Sequence, residues 1–486
     1  MRRLVLLLLA LPALGGELWV AVGPPELLEP LAPLVAHRRA QGLETALVEG
    51  RDLSARRRFP RPPDYLLLVG DDADGAGDAT WRVEAPRLGL YRWRAVQPPR
   101  FASDGPWGDD DGDLAPDRPV GRIPARTPDE VRAAVRKILA FEARAPAPDD
   151  LRFVAWAGES GYGPAFDQAQ TALLLSTIRR FSPPWATPWL MSADPAQPYC
   201  GWPPEQPDTF AREMRRGALF GAGLAHGNSQ AFYSMDHGEE SIRFGPAELA
   251  RGFPGDLPAP PLVILSCNCG AFDGREPSIA ERALFLPGGP VAVIGATTES
   301  HPLPNYFSGV ALLKGLGGAT RRLGDFWLEA QRAGLAERDF LIEQMLKDVE
   351  GKLEPEIDIA KLKRDQRLLY ALLGDPALRL RLPGPLEARA EKVEGGWRFT
   401  VTRPAGATRL FVGLLPATRA AGAAAAGADE AMVRRTQLAA VNGAEEFTPL
   451  EEIGEGSWEG TVDRPGRLRL VATGPDVLAV CVLELR

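Results

Sequence analysis

Reactive side chains are scarce in this 486-residue chain, which has four histidines and four cysteines. Two of them stand where nucleophilic chemistry would need them. His226 follows the apolar run Ala218–Ala225 and is backed by Gly227, Asn228 and Ser229. Cys267 follows the very apolar run Leu262–Ser266 and opens Cys267-Asn268-Cys269-Gly270. A side chain at the carboxyl end of a buried parallel strand projects into the crevice above the sheet. Two neighbouring strands ending this way would set an imidazole beside a thiol. A cysteine nucleophile needs that arrangement, because the imidazole takes its proton or holds it as thiolate. Backbone N–H groups at Gly227 and Cys267 would be placed to stabilise a developing oxyanion. The plainer alternative is an ordinary core cysteine and a histidine in a turn. His37 lies among arginines in an expected surface helix and calls for no function.

The elements that would position these groups read as two α/β series. Leu18–Val22, Leu43–Val48 and Tyr65–Val69 are expected strands, the last apolar throughout, as a strand buried on both faces should be. Thr127–Phe141 is an expected helix, capped by Thr127 with Pro128 at its first position. Ala143–Pro148 reads as a stiff linker. The second series has strands at Phe153–Ala157, Ala186–Met191, Ala218–Ala225, Leu262–Ser266 and Val291–Ala296. Helices are expected at Phe166–Phe181, Thr209–Arg216 and Ser278–Phe285, with Ser278 and Glu281 forming a capping box, then at about 305–315 and 325–350. From Leu386 the runs become short, alternating and turn-bounded, which is a β-sandwich pattern.

Composition narrows the classes. Length favours two or three domains, and 45% hydrophobic with 25% charged residues is ordinary for a folded soluble protein. A net charge of −8 argues against a nucleic-acid partner, since phosphate binding needs clustered positive charge. Only 7 of the 56 basic residues are Lys, a bias with no functional assignment. Arg2 and Arg3 followed by Leu4–Leu14 read as a secretory signal with cleavage near Ala13-Leu14-Gly15. That run is too short to span a bilayer, and no stable membrane insertion is expected. The protein is thus expected to be secreted, periplasmic or at the cell surface.

Asp109, Asp111, Asp113 and Asp117 alternate in a Gly-containing loop, so several carboxylates can face one hard cation such as Ca²⁺. The spacing is not that of an EF-hand, and a loop of Asx turns with solvated acids is the alternative. Asp71, Asp72, Asp74 and Asp78 form a weaker second cluster. No zinc pattern is present. Cys200 and Cys481 either pair or remain lone thiols.

An ordered set of segments resembles the gingipain-type (C25) cysteine peptidase family of the caspase-like clan. They are Tyr65-Leu-Leu-Leu-Val-Gly-Asp71, Asp109–Asp117 with Val120-Gly-Arg-Ile-Pro124, Ala225-His-Gly-Asn228, Ser266-Cys-Asn-Cys-Gly-Ala-Phe272 with Ile279-Ala-Glu281, Val291–Thr297 and Leu372-Leu-Gly-Asp-Pro376. The resemblance implies a caspase-like parallel-sheet α/β/α catalytic region in two subdomains, followed by an immunoglobulin-like sandwich. The expected division is a signal peptide at 1–15, an N-terminal α/β subdomain at 16–145, a catalytic subdomain at 146–384 and a β-sandwich at 385–486. It implies His226 as catalytic histidine and Cys267 as nucleophile, in preference to Cys269. It supports structural calcium, with no cofactor for catalysis and a peptide or protein as substrate. The expected activity is exported cysteine endopeptidase, the alternative a catalytically silent scaffold or adhesion protein. His301 stands where the family's pocket-walling Trp is expected, so a preference for basic P1 residues is not implied. Glu159 and Asp167 are the candidate pocket carboxylates, with solvated loop acids as the alternative.

Overall fold

The computed structural model describes residues 16–91, 100–160, 163–237, 240–344, 357–416, 429–443, 447–450 and 456–486. The expected signal at 1–15 and the Ala/Gly-rich run at 420–427, which reads as a surface loop or a helix start, lie outside these residues.

Ten strands form one sheet. In chain order they are β1 (Leu18–Gly23), β2 (Glu44–Glu49), β3 (Tyr65–Val69), β4 (Val120–Ile123), β5 (Arg152–Ala157), β6 (Thr187–Ser192), β7 (Phe220–Leu224), β8 (Leu262–Leu265), β9 (Val293–Ala296) and β10 (Tyr370–Leu373). Their spatial order is β2-β1-β3-β4-β10-β9-β8-β7-β5-β6. Every pairing is parallel except β9 with β10. The sheet therefore contains two parallel halves of opposite direction, joined where Ala296 faces Tyr370. β1, β3, β8, β9 and β10 are buried at every position, which accounts for their unbroken apolar runs.

The helices begin where their capping residues stand. Thr127 and Glu130 form a capping box for Pro128–Ala143, and Ser278 and Glu281 do the same for Ile279–Phe285. Between Leu53 and Arg58 the chain makes only a short 3₁₀ turn. The segment Leu372–Pro376 is more than a motif, since its first part is β10. Asp375 beyond it is fully buried. Its carboxylate accepts from Trp19 Nε1 at 3.0 Å and from Arg38 Nε and Nη2 at 3.0 and 2.8 Å. Gly374 has φ +139°, and a β-carbon there would lie 2.7 Å from Ala292 Cβ, so only glycine fits this turn.

After the sheet come a five-stranded and a three-stranded sheet, antiparallel in all but one pairing. Phe399, Val401, Leu410, Trp458, Leu468 and Leu470 fill the core of this β-domain. A helix at Glu430–Val441 has no counterpart in the sequence expectations. It carries Asn442 to the outer edge of β6. There the Asn442 amide accepts the Leu190 N–H at 2.7 Å and donates to the Leu190 carbonyl at 2.8 Å. One side chain thus satisfies an edge-strand residue that would otherwise offer an open pairing surface.

Candidate active site

β7 and β8 are adjacent and parallel, with Leu224 opposite Leu265 at the end of the ladder. Two residues further along each chain stand His226 and Cys267. They leave the sheet from neighbouring strand ends at the same offset. His226 opens a short strand, His226–Asn228, that turns back on Ala231–His237. This hairpin is anchored by aromatic packing, with Phe232 and Phe244 at 5.1 and 6.1 Å from Trp156 between ring centroids.

The imidazole of His226 is exposed, and its Nε2 lies 2.7 Å from the Ser160 carbonyl. A carbonyl only accepts, so this contact makes Nε2 the donor and leaves Nδ1 free in the neutral ring. The Ser160 N–H and hydroxyl both donate to Asp167 Oδ1 at 2.6 Å. Asp167 therefore braces the loop that holds the histidine. Glu159 is half-buried in the same loop.

Cys267 is partly exposed, and Cys269 is fully buried. Asn268 between them has φ +56°, a left-handed conformation rare for a non-glycine residue. Its N–H donates to the Thr298 carbonyl at 2.9 Å. Cys269 Sγ lies under the histidine hairpin, 3.4 Å from the Asn228 carbonyl and 3.8 Å from that of Ala231. Burial pushes its thiol up to about 12, so at neutral pH it is an inert packing group. Burial also raises the Cys267 thiol, and the Glu299 charge acts in the same direction, whereas hydrogen bonds from Ser300 oppose both. Cys267 Sγ stands 3.5 Å from the Ser300 carbonyl and 4.0 Å from its hydroxyl.

The loop after β9 holds a residue that sequence reasoning missed. His301 is 3% exposed, and its Nδ1 accepts the Leu303 N–H as the cap of helix Pro302–Gly315. Glu299, two residues earlier, is the one whose charge reaches the thiol, and burial raises its own carboxyl. The signal was its place at the end of the apolar run Val291–Ala296.

Asp109, Asp111 and Asp117 bring carboxylate oxygens within 4.8 Å of one another, while Asp113 is not in that group. Asp113 Oδ1 accepts the Ala115 N–H at 2.6 Å. Asp109 accepts the N–H groups of Gly112 and Leu114 at 2.8 and 3.0 Å. Arg332 and Arg367 donate to the carbonyls of Pro116, Asp117 and Leu114. The loop thus has its own scaffold, and its three converging carboxylates form a donor set that suits a hard cation. The second cluster is differently used. Asp71 and Asp72 are buried, Asp71 paired with Arg126 and Asp72 with Arg82 and Arg87. Cys200 and Cys481 are both free thiols.

The model of peptidase family C25 matches residues 17–381. Among solved structures the chain is similar to the Arg-specific cysteine proteinase gingipain R, at 14% identity and a TM-score of 0.56 over 98% of this chain and 99% of that one. It is also similar to a complex of the RgpB pro- and mature domains of Porphyromonas gingivalis, at 15% identity and 0.55 over 97% and 100%. No curated protein matches the chain. At such identities the structural likeness concerns the fold: a mixed α/β region built on the ten-stranded sheet, followed by the antiparallel β-domain. Among the described residues no helix is long and apolar enough to cross a membrane.

Proposed function

Because the chain belongs to peptidase family C25, we propose that it is an exported cysteine endopeptidase with His226 and Cys267 as its catalytic dyad. The observation that carries this reading is the equal offset of the two residues beyond the paired Leu224 and Leu265. His226 Nδ1 takes the proton from Cys267 Sγ, and the thiolate attacks the carbonyl carbon of the scissile bond. The oxyanion is received by the N–H groups of Gly227 and Cys267. Asn228 and Ala231 close the hairpin, so Gly227, opposite Phe232, occupies the non-hydrogen-bonded position, and its N–H points off the ladder. The imidazolium then gives its proton to the leaving amine. A water molecule, deprotonated by His226, releases the acyl group from the sulfur and regenerates the thiol.

Ser160 and Asp167 serve in this scheme as the support of the imidazole. The subdivision into a signal at 1–15, α/β parts at 16–145 and 146–384 and a β-domain at 385–486 belongs to the same proposal. So does a structural Ca²⁺ held by Asp109, Asp111 and Asp117, which would add charge neutralisation to that loop.

Cleavage of a peptide library by purified protein tests the activity. Cys267→Ala and His226→Ala should each abolish turnover, and Cys269→Ala should retain it. If Cys267→Ala cleaves as well as the parent, the dyad is wrong. If the parent cuts nothing while keeping its fold, the silent scaffold or adhesion reading replaces this one.

A further inference from the structure

We propose that Ser300 is a positioning residue for Cys267, held in place by Asn305 and Tyr370. The inference rests on Cys267 being the nucleophile. Ser300 is 3% exposed and stands on the segment leaving β9. Its carbonyl and hydroxyl face the same sulfur, at 3.5 and 4.0 Å.

Behind Ser300 lies a buried polar network. Asn305 Nδ2 donates to Ser300 Oγ at 3.0 Å. Asn305 Oδ1 accepts from the Tyr370 hydroxyl at 2.9 Å and from Gln366 Nε2 at 2.7 Å. Gln366 Nε2 also reaches Ser308 Oγ at 3.3 Å. All of these residues are buried. Tyr370 reaches the network because β10 runs antiparallel to β9 and so brings its first residue beside Ala296. Buried polar groups cost stability unless paired, so a chain of five side chains behind one thiol needs a reason beyond packing.

The donor and acceptor inventory supplies one. Asn305 occupies one lone pair of the Ser300 hydroxyl, so the Ser300 O–H must point elsewhere. Its available acceptors are Tyr370 Oη and Cys267 Sγ. While Cys267 is a thiol, its S–H donates to the Ser300 carbonyl. Once His226 has taken that proton, the hydroxyl turns its hydrogen to the sulfur and stabilises the anion. Ser300 transfers no proton in this step. The titratable groups around Cys267 are Glu299 from the loop after β9, Tyr370 from β10 and Cys269 on its own loop, with His226 beyond the end of the neighbouring strand β7. Only His226 among them can be positive, and Glu299 opposes the thiolate. A neutral donor on the far side of the sulfur therefore has an effect to exert.

The test is the pH dependence of iodoacetamide alkylation at Cys267, followed by peptide mass mapping on the intact protein without substrate. Ser300→Ala should move the alkylation midpoint up by about one pH unit, or about tenfold slower reaction below it. Ser300→Thr keeps a hydroxyl and should stay within a few tenths of a unit of the parent. With a cleavable peptide, Ser300→Ala should lower kcat and leave KM unchanged. A midpoint unmoved in Ser300→Ala, or moved as far in Ser300→Thr as in Ser300→Ala, overturns the proposal. Alkylation reads the thiol without turnover. A parent that alkylates with the expected serine dependence but cuts no peptide would remove the peptidase reading and leave this one standing.

Discussion

Gly227 lies so close to Cys269 that a β-carbon at position 227 would stand 2.7 Å from Sγ, and 2.3 Å from Ser266 Oγ. The residue after the proposed catalytic histidine is thus pressed onto the packing thiol next to the proposed nucleophile. The buried cysteine packs against the underside of the histidine hairpin. The partly exposed one presents its sulfur to the crevice.

Gly227→Ala should therefore cost about 1–3 kcal/mol in stability, through overpacking against the Ser266 and Cys269 side chains. It should also reduce peptide cleavage by more than its effect on folding explains, because the hairpin carries His226. Urea denaturation and kcat/KM measured on the same preparation check both. A Gly227→Ala variant with parental stability and activity would show that the hairpin is not pressed onto these side chains.

Asp375 should be among the most sensitive positions for folding. It receives Trp19, Arg38 and the Ala377 N–H in a fully buried site, and Arg38 is itself buried against Glu142. Asp375→Ala removes one of the two buried carboxylates that hold Arg38 and leaves Trp19 Nε1 without its acceptor, and should destabilise by roughly 3–5 kcal/mol. Asp325, whose oxygen accepts from the part-buried Tyr65 hydroxyl, offers a milder comparison. The urea midpoints of Asp375→Ala and Asp325→Ala should rank in that order.

Glu281 predicts a pH dependence of stability. Burial, and then the charge of Asp71, raises its carboxyl well above the ordinary 4.5. The folded state then holds a proton that the unfolded chain releases, so stability falls as pH rises above about 4.5. Glu281→Gln keeps an oxygen for the Ser278 N–H and hydroxyl and removes the charge. The variant should gain on the parent progressively from pH 5 towards 8 in thermal melts. A difference that stays constant with pH would mean that Glu281 is ionised in the folded protein as it is in the unfolded one.

Calcium is the fourth test. Addition of Ca²⁺ should raise the melting temperature, and chelation should lower it. Asp109→Ala should abolish that response, and Asp113→Ala should leave most of it, because Asp113 stands outside the converging group. A response unaffected by Asp109→Ala would put the ion elsewhere.

Much of the fold was legible locally. Continuous apolar runs marked the strands buried on both faces, and Thr127 and Ser278 marked two helix starts, because caps and periodicity are short-range properties. What escaped were elements defined by distant partners. Tyr370–Leu373 is a strand because β4 and β9 flank it. The helix Glu430–Val441 has only Leu438 fully buried, so its own pattern shows little of the contact it makes with β6.

The site divides in the same way. Sequence alone determined that a His-Gly and a Cys-x-x-Gly each follow a buried strand, since strand burial and the glycines after it are written in consecutive residues. Only the tertiary structure decided which strands are neighbours, because β7 and β8 lie some forty residues apart in the chain and meet through the sheet order. It also decided the roles around them. Asp167 braces Ser160, His301 caps a helix, and Glu299 and Ser300 face the thiol. Those assignments depend on which way loop side chains turn, and hydrogen bonds between residues distant in sequence set that direction.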